Sequence, residues 1–293
     1  MIKYSIIIPT YNRASLLDRC LKTLVNQTYK CFEVLICDDG STDNTIQVVS
    51  NYKEVLDIKY FSSINWGGPA RPRNIGINNS SGEWICFLDS DDLWTENKLE
   101  IIDTFANVSI DFLYHKMGLF FENGITNSKK LLYTRNLEIN VFKDLLLNGN
   151  VINNSSVVVK KEIILKVGGI SESKDIIGCE DYNTWLKIAC ITNKFLFIPK
   201  VLGYYDLHLQ GLSRKDMSIP HSLAVNEFLY LCSNKEKLII NSRTKYMKVR
   251  YLINLNKRSE SYVNLFYCLR NGTVKIKIKS CYYLFKILVN YIK

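Results

Sequence analysis

FEVLICDDGSTDNT occupies residues 32–45. Its first six residues form the short, largely apolar run of a strand buried on both faces, and the run stops at Asp38-Asp39-Gly40. Asp43 then stands where a helix N-cap is wanted, and the spacing predicts a helix from there to about Leu56. The same alternation extends in both directions. Upstream, Tyr4 to Pro9 (YSIIIP) reads as a buried strand. Leu16, Leu17, Cys20, Leu21, Leu24 and Val25 then recur on one side of a helix. Downstream, Ile58 to Phe61 is a third strand, Pro69 to Asn79 a helix and Glu83 to Leu88 (EWICFL) a fourth strand. That strand ends at Asp89-Ser90-Asp91-Asp92, and Thr95 is placed to cap a fourth helix. Four strand–helix repeats in about 105 residues predict an α/β fold with a mostly parallel, Rossmann-like sheet flanked by helices. In open sheets of this kind ligands bind beyond the strand carboxyl ends. Thr10-Tyr11-Asn12-Arg13, Asp38-Asp39 and the 89–92 cluster all fall there, so three strands aim polar groups at one rim.

Composition narrows the function classes. Of 293 residues, 47% are hydrophobic and 23% charged, which is globular rather than disordered. No apolar run is long enough to cross a bilayer, and MIKYSIIIPTYN is too short-cored for a signal peptide, so the expectation is a cytosolic chain. Nine cysteines without a CxxC pair fit reduced, buried small hydrophobes. The net charge of +10 is lopsided. Residues 1–233 carry 24 Lys and Arg against 26 Asp and Glu, whereas residues 234–293 carry 14 against two. A general nucleic-acid binder would not confine its charge to one end, so no nucleic-acid partner is expected. The pattern suits a near-neutral catalytic body with a basic tail that meets an anionic surface.

Asp89, Asp91 and Asp92 repel one another unless a cation or several donors compensate. On extended backbone the 89 and 91 side chains share a face, and hard carboxylate oxygens suit Mg²⁺ or Mn²⁺ with a diphosphate completing the shell. Asp92 also suits a plain turn ahead of Thr95. Tyr11 can stack on a base, Arg13 can reach phosphate, and an Asp at the second strand's end can accept from a base N–H. Gly67-Gly68-Pro69-Ala70-Arg71-Pro72-Arg73-Asn74 sets two glycines and two arginines before a helix, as expected near phosphates. GxGxxG and GxxxxGK[ST] are absent, which removes dinucleotide and P-loop readings. Glu180-Asp181 opens a predicted helix over 180–191. There it is either a dipole-favoured acidic first turn or the seat of a general base. Trp185, one turn on, either stacks on a sugar or is core. His115 and His221 read as ordinary structural or surface residues.

Together these stretches resemble the family 2 glycosyltransferases of the GT-A fold. The matching pieces are PTYNR at 9–13, FEVLICDDGSTDNT at 32–45, ARPRNIGI at 70–77 and SGEWICFLDSDDLW at 81–94. VGG at 167–169, EDYNTWLKIA at 180–189 and YYDLHLQGLSR at 204–214 follow in order. The resemblance covers about 1–215, with Pro72 a departure between the two arginines. It implies a donor site in which Tyr11 and Asp39 contact uracil, with Thr10 and Arg13 nearby and Arg71 or Arg73 on the phosphate side. It further implies Asp89 on the ribose or the metal, Asp91 as metal ligand, His208 on metal or diphosphate, and Asp181 as general base. Glu180 and Trp185 would face the acceptor. One base and no nucleophile imply single displacement with inversion. The implied protein is a bacterial, Mn²⁺- or Mg²⁺-dependent hexosyltransferase of O-antigen or capsule synthesis. It would move a hexose from a UDP-sugar to a saccharide carried on a lipid diphosphate, at the inner face of the cell membrane. Two rivals are a sugar-nucleotidyltransferase, which would need a Gly-rich triphosphate loop after the first strand, and a binding scaffold without turnover.

The expected organisation is a catalytic domain over 1–215, with a nucleotide-sugar half (1–110) and an acceptor half (111–215). A helical basic region over 216–293 follows. Near the end, Lys275, Lys279, Lys286, Asn290 and Lys293 fall within about 60° of a helical wheel, beside a broad apolar face. Such a helix over 273–293 can lie on an anionic leaflet or pack as a terminal helix, and Val274 to Lys279 (VKIKIK) also alternates like a strand.

Overall fold

Seven consecutive buried residues make Tyr4–Thr10 the first strand, β1. The computed structural model describes residues 3–120, 126–207 and 215–289. After β1 the chain runs through α1 (Ala14–Val25), β2 (Phe32–Asp38), α2 (Thr45–Ser50), β3 (Ile58–Ser62), α3 (Ala70–Asn79) and β4 (Trp84–Phe87). Strands β1 to β4 are mutually parallel in the order β3-β2-β1-β4, as the alternation predicts. Helix α2 stops at Ser50 rather than Leu56. Asp43 serves two helices: one carboxylate oxygen accepts from Thr45 N and the other from Ala14 N, so it ties the starts of α2 and α1.

Beyond β4 come β5 (Leu93–Trp94), α4 (Lys98–Asp103), β6 (Phe112–Phe120), β7 (Thr126–Leu131) and α5 (Val141–Asn148). Next are β8 (Val158–Lys160), α6 (Lys161–Lys166), α7 (Glu180–Ile191) and β9 (Phe195–Asp206). These strands complete a mixed sheet of order β3-β2-β1-β4-β8-β6-β9-β5, with β7 on β6. Strand β8 is antiparallel to β4 and β6, and β5 is antiparallel to β9. Helix α4 is capped at Asn97, two residues after the predicted Thr95. The main core lies along β1, β2 and β4 and under α1, with Ile6, Ile8, Leu17, Leu21, Ile36 and Leu88 fully buried.

Two compact units divide the chain: Met1–Val141 with Val151–Glu172 and Thr184–Leu209, and Phe142–Asn150 with Ser173–Asn183 and Gln210–Lys293. The expected break at 215 is therefore crossed twice, because 142–150 and 173–183 join the C-terminal helices. The second unit holds α8 (Ser218–Asn226), α9 (Asn234–Asn254), α10 (Tyr262–Asn271) and α11 (Val274–Val289). VKIKIK is helical, within α11. Val249, Leu265 and Ile287 join α9, α10 and α11 in one core. All nine cysteines are free thiols, six of them buried.

Candidate functional site

The rim foreseen at the strand ends exists in the first unit. Helix α3 sits low on the sheet because of Gly76: a Cβ there would lie 2.6 Å from Ile7 Cγ2 and 3.0 Å from Cys37 Sγ. Pro72 falls in the first turn of α3, where a missing N–H costs nothing. This placement separates the two arginines. Arg73 is buried and its Nη2 donates to Asp89 Oδ1 at 2.7 Å. Arg71 instead donates from Nε to Glu172 at 3.0 Å and stacks 3.4 Å from the Trp66 ring centroid.

The turn after β4 is fixed from several sides. Asp89 Oδ1 also accepts from Asn154 Nδ2 at 2.9 Å, and Asp89 N donates to Ser155 Oγ at 3.0 Å. Arg13 Nη1 donates to Asp91 Oδ2 at 2.6 Å. From α1, Arg19 donates to the Asp91 carbonyl at 2.9 Å and pairs with Asp206 at the end of β9. The amide of Asp206 in turn donates to Asp92 Oδ1 at 3.1 Å. Asp92 is 1% exposed. Burial, then the charges of Asp91 and Asp89, push its carboxyl well above the usual carboxylate range. Asp92 is thus a brace of the turn, which agrees with the simpler of its two sequence readings. Below it, Lys98 is fully buried, donating to the Ser155 carbonyl at 3.0 Å; burial holds its ammonium pKa well below the ordinary value.

At the end of β2, Asp39 N donates to the Thr10 carbonyl at 2.9 Å. Its carboxylate accepts from Trp66 N at 2.8 Å and Gly67 N at 3.0 Å. Asp39 therefore fixes the loop between β3 and α3, and any base contact falls to its remaining lone pairs. Thr10 is buried, with an Oγ1 that takes no hydrogen bond among the described residues, and Tyr11 is 46% exposed. The structure thus gathers Thr10, Arg13, Asp39, Arg73, Asp89 and Asp91 into one linked rim, with Tyr11 beside it.

The acceptor candidates fare differently. Glu180 and Asp181 belong to the second unit, in the first turn of α7. Glu180 is buried and accepts from Gly178 N; half-buried Asp181 accepts from Tyr182 N at 2.6 Å. Trp185 is corrected. It is 0% exposed, with its ring against Phe112 at 5.0 Å and Phe87 at 5.9 Å, so it is core and has no face to offer a sugar. His208 lies outside the described residues. His115 and His221 are buried, and burial lowers the pKa of both. Sequence reading passed over Arg19, Asp206 and Asn154-Ser155. The last pair had a signal: INNSS is a polar island between apolar runs. Among the described residues, no group of three His, Cys, Asp or Glu side chains could by itself hold a metal ion.

The chain is similar to known proteins in sequence and in fold. The model of glycosyl transferase family 2 matches residues 5–146. UDP-Glc:alpha-D-GlcNAc-diphosphoundecaprenol beta-1,3-glucosyltransferase WfgD of Escherichia coli is 32% identical over 189 residues, 63% of this chain and 68% of that protein. The structure of Staphylococcus aureus TarS 1–349 with UDP superposes at a TM-score of 0.60 and 25% identity, over 85% of this chain and 70% of that one. Mannosyltransferase PcManGT of Pyrobaculum calidifontis, at 17% identity, shares the fold at a TM-score of 0.63 over 99% of this chain and 81% of that one. Other curated relatives are much longer: the chain covers only 14 to 16% of three Rickettsia proteins named uncharacterized glycosyltransferases. The fold is GT-A, with a helical C-terminal region, and the chain belongs to glycosyl transferase family 2.

Proposed function

We propose that the chain is an inverting glycosyltransferase that moves a hexose from a UDP-sugar to a saccharide hydroxyl, the acceptor being carried on a lipid diphosphate in surface-polysaccharide synthesis. The observation that carries this reading is the pair Asp89 and Asp91 at the end of β4, each gripped by an arginine from another element. Their carboxylates keep 29% and 12% exposure. Hard oxygens of this kind fit Mn²⁺ or Mg²⁺ shared with the donor diphosphate, and His208 is the further ligand expected from sequence. Such a cation supplies charge neutralisation of the departing UDP. Tyr11, Thr10 and Asp39 form the uracil side, Arg13 and Arg73 the phosphate side, and Glu180 the acceptor side. Asp181 takes the proton of the attacking hydroxyl. TarS bound to UDP supports a uridine donor. WfgD, named for UDP-Glc and a diphosphoundecaprenol-linked sugar, supports a UDP-hexose and a lipid-linked acceptor. Such an acceptor places the work at the cytoplasmic membrane face, reached through 273–293.

The test is incubation with a panel of UDP-sugars, Mn²⁺ and a synthetic lipid-diphosphate saccharide, for wild type and Asp91→Ala. Transfer is expected for one donor, with an inverted anomeric centre by NMR. It should be lost in EDTA and lost in Asp91→Ala, whose circular dichroism stays that of wild type. Equal rates in EDTA and Mn²⁺ would sink the metal role, and donor binding without turnover would leave only a scaffold.

A further inference from the structure

Helix α11 has two apolar faces, and the second unit uses one of them. Ile276, Ser280 and Ile287 are buried, and Ile287 joins the core made with Val249 and Leu265. At 100° per residue these three span about 40° of the helical wheel. On the far side, Val274, Ile278, Tyr282 and Phe285 span about 80°, and all four are exposed, at 61 to 74%. Lys275, Lys279 and Lys286, exposed as well, occupy the adjoining 40° or so. Helix α10 adds exposed Val263 and Phe266 at i and i+3, with exposed Arg270 one turn on. Single exposed apolar residues are ordinary on a protein surface, but four in line on one helix mark a contact surface.

The chemistry of the surroundings selects what covers the stripe. Residues 234–293 carry 14 basic residues against Glu236 and Glu260. A second copy of the chain would set that excess against itself. A polyanion in water would use the lysines and leave the stripe wet. A bilayer with anionic headgroups satisfies both: the apolar side chains enter the headgroup–acyl boundary while lysine stems reach lipid phosphates. Tyr282 is of the amphipathic aromatic kind that settles at the interface, and Phe285 suits the apolar face of a helix lying there.

We propose that α11 docks on an anionic lipid surface through Val274, Ile278, Tyr282 and Phe285, with Lys275, Lys279 and Lys286 on the headgroups and Val263 and Phe266 of α10 extending the face. The proposal rests on the reading of a lipid-linked acceptor and names the surface that would meet the membrane.

The experiment is co-sedimentation of the full chain with vesicles of phosphatidylcholine alone or mixed equally with phosphatidylglycerol. Binding to the mixed vesicles is expected, weakening in high salt as screening shortens. Replacing Lys275, Lys279 and Lys286 with Gln should weaken it roughly 100-fold. Ile278→Ser with Phe285→Ser should weaken it at least tenfold. Both variants should keep the wild-type melting temperature and full transfer to a water-soluble acceptor, because the altered side chains are exposed. Transfer to an acceptor embedded in vesicles should fall. The proposal is overturned if wild type ignores mixed vesicles, if the variants bind as wild type does, or if they melt lower. It is also overturned if light scattering shows a dimer that these substitutions dissolve. Vesicle binding without any sugar transfer would remove the glycosyltransferase reading and leave the docking face standing. Transfer to a soluble acceptor by a chain that ignores vesicles would do the reverse.

Discussion

Asp181 and Trp185 sit one turn apart on α7, and the structure gives them opposite fates. Asp181 is half-buried at the helix start, whereas Trp185 has no exposed surface. Asp181→Asn keeps the shape but cannot take a proton, so turnover should fall roughly 10²-fold or more, with UDP-sugar affinity and melting temperature unchanged. Trp185→Ala should do the reverse in kind, costing about 3–5 kcal/mol of stability through the cavity left beside Phe87 and Phe112. Urea denaturation and steady-state kinetics on the two variants check both; an Asp181→Asn enzyme as fast as wild type would remove the base. Residue types alone could not separate the two roles of a tryptophan at helical spacing, since both want a large apolar ring. Arg19 was hidden for a related reason. It lies on a helix whose other positions read as surface or core, and its partner Asp206 is 187 residues away. Nothing in local spacing signals such a pair. Asp91 and Asp89 were legible because their crowding has to be compensated wherever they are placed.

Among the elements, the four parallel strands were readable because β1, β2 and β4 are short runs buried on both faces, and the half-buried edge strand β3 keeps its place in the strand–helix alternation. Strand β6 was not, and β9 was legible only towards its end, where the sequence from residue 202 to 208 reads as a strand or loop. In β6, FLYHKMGLF breaks its apolar run with His115 and Lys116. In β9, Pro199 and Lys200 are skipped in the pairing with β6, a bulge that lets a proline without an N–H sit inside a strand. Gly203 then lets β5 come close: a Cβ there would be 2.8 Å from the Leu93 carbonyl oxygen. Gly76→Ala tests the parallel half. The methyl group meets Ile7 and Cys37 in a sheet that cannot yield, so a loss of about 1–3 kcal/mol is expected despite the better helix propensity of alanine. A stabilised variant would mean that α3 sits farther from the sheet. In the second unit, Ser233 and Glu236 form a capping box at the start of α9. Lys143, then the Ser233 amide, hold the Glu236 carboxyl down at about 2. A depressed acid stabilises the fold above its unfolded value, about 4.5, and that contribution is lost as pH falls toward 2. Between those pH values wild type should lose stability more steeply than Glu236→Gln, as read by circular dichroism melts. Parallel slopes would show that the pair with Lys143 contributes nothing.

Across the whole molecule, charge, core and the rim around Asp89 and Asp91 follow the division into units, whereas the acceptor candidates Glu180 and Asp181 lie in the second. The residues linked around Asp89 and Asp91, from Thr10 to Asp206, all belong to the first unit, while nearly all the excess positive charge lies in the second. No helix among the described residues is long and apolar enough to cross a membrane. From sequence, the basic tail was readable as a helix lying on an anionic leaflet, as a packed terminal helix or, over Val274 to Lys279, as a strand. Burial of Ile276 at 3% and Ile287 at 2% makes it part of a core. Deleting α11 would therefore confound loss of contact with loss of fold, and point substitutions are the sharper probe. Ile287→Ala should cost about 2–5 kcal/mol, read as faster hydrogen exchange in α9, α10 and α11. UDP affinity in Mn²⁺ should stay within twofold of wild type, because every side chain assigned to the donor lies in the first unit. UDP itself should slow exchange at the carboxyl ends of β1, β2 and β4 and at the start of α3, leaving α9 to α11 as they were. If Ile287→Ala instead weakens UDP binding in step with its loss of stability, the donor site depends on the second unit, and the assignment of donor recognition to the first unit alone fails.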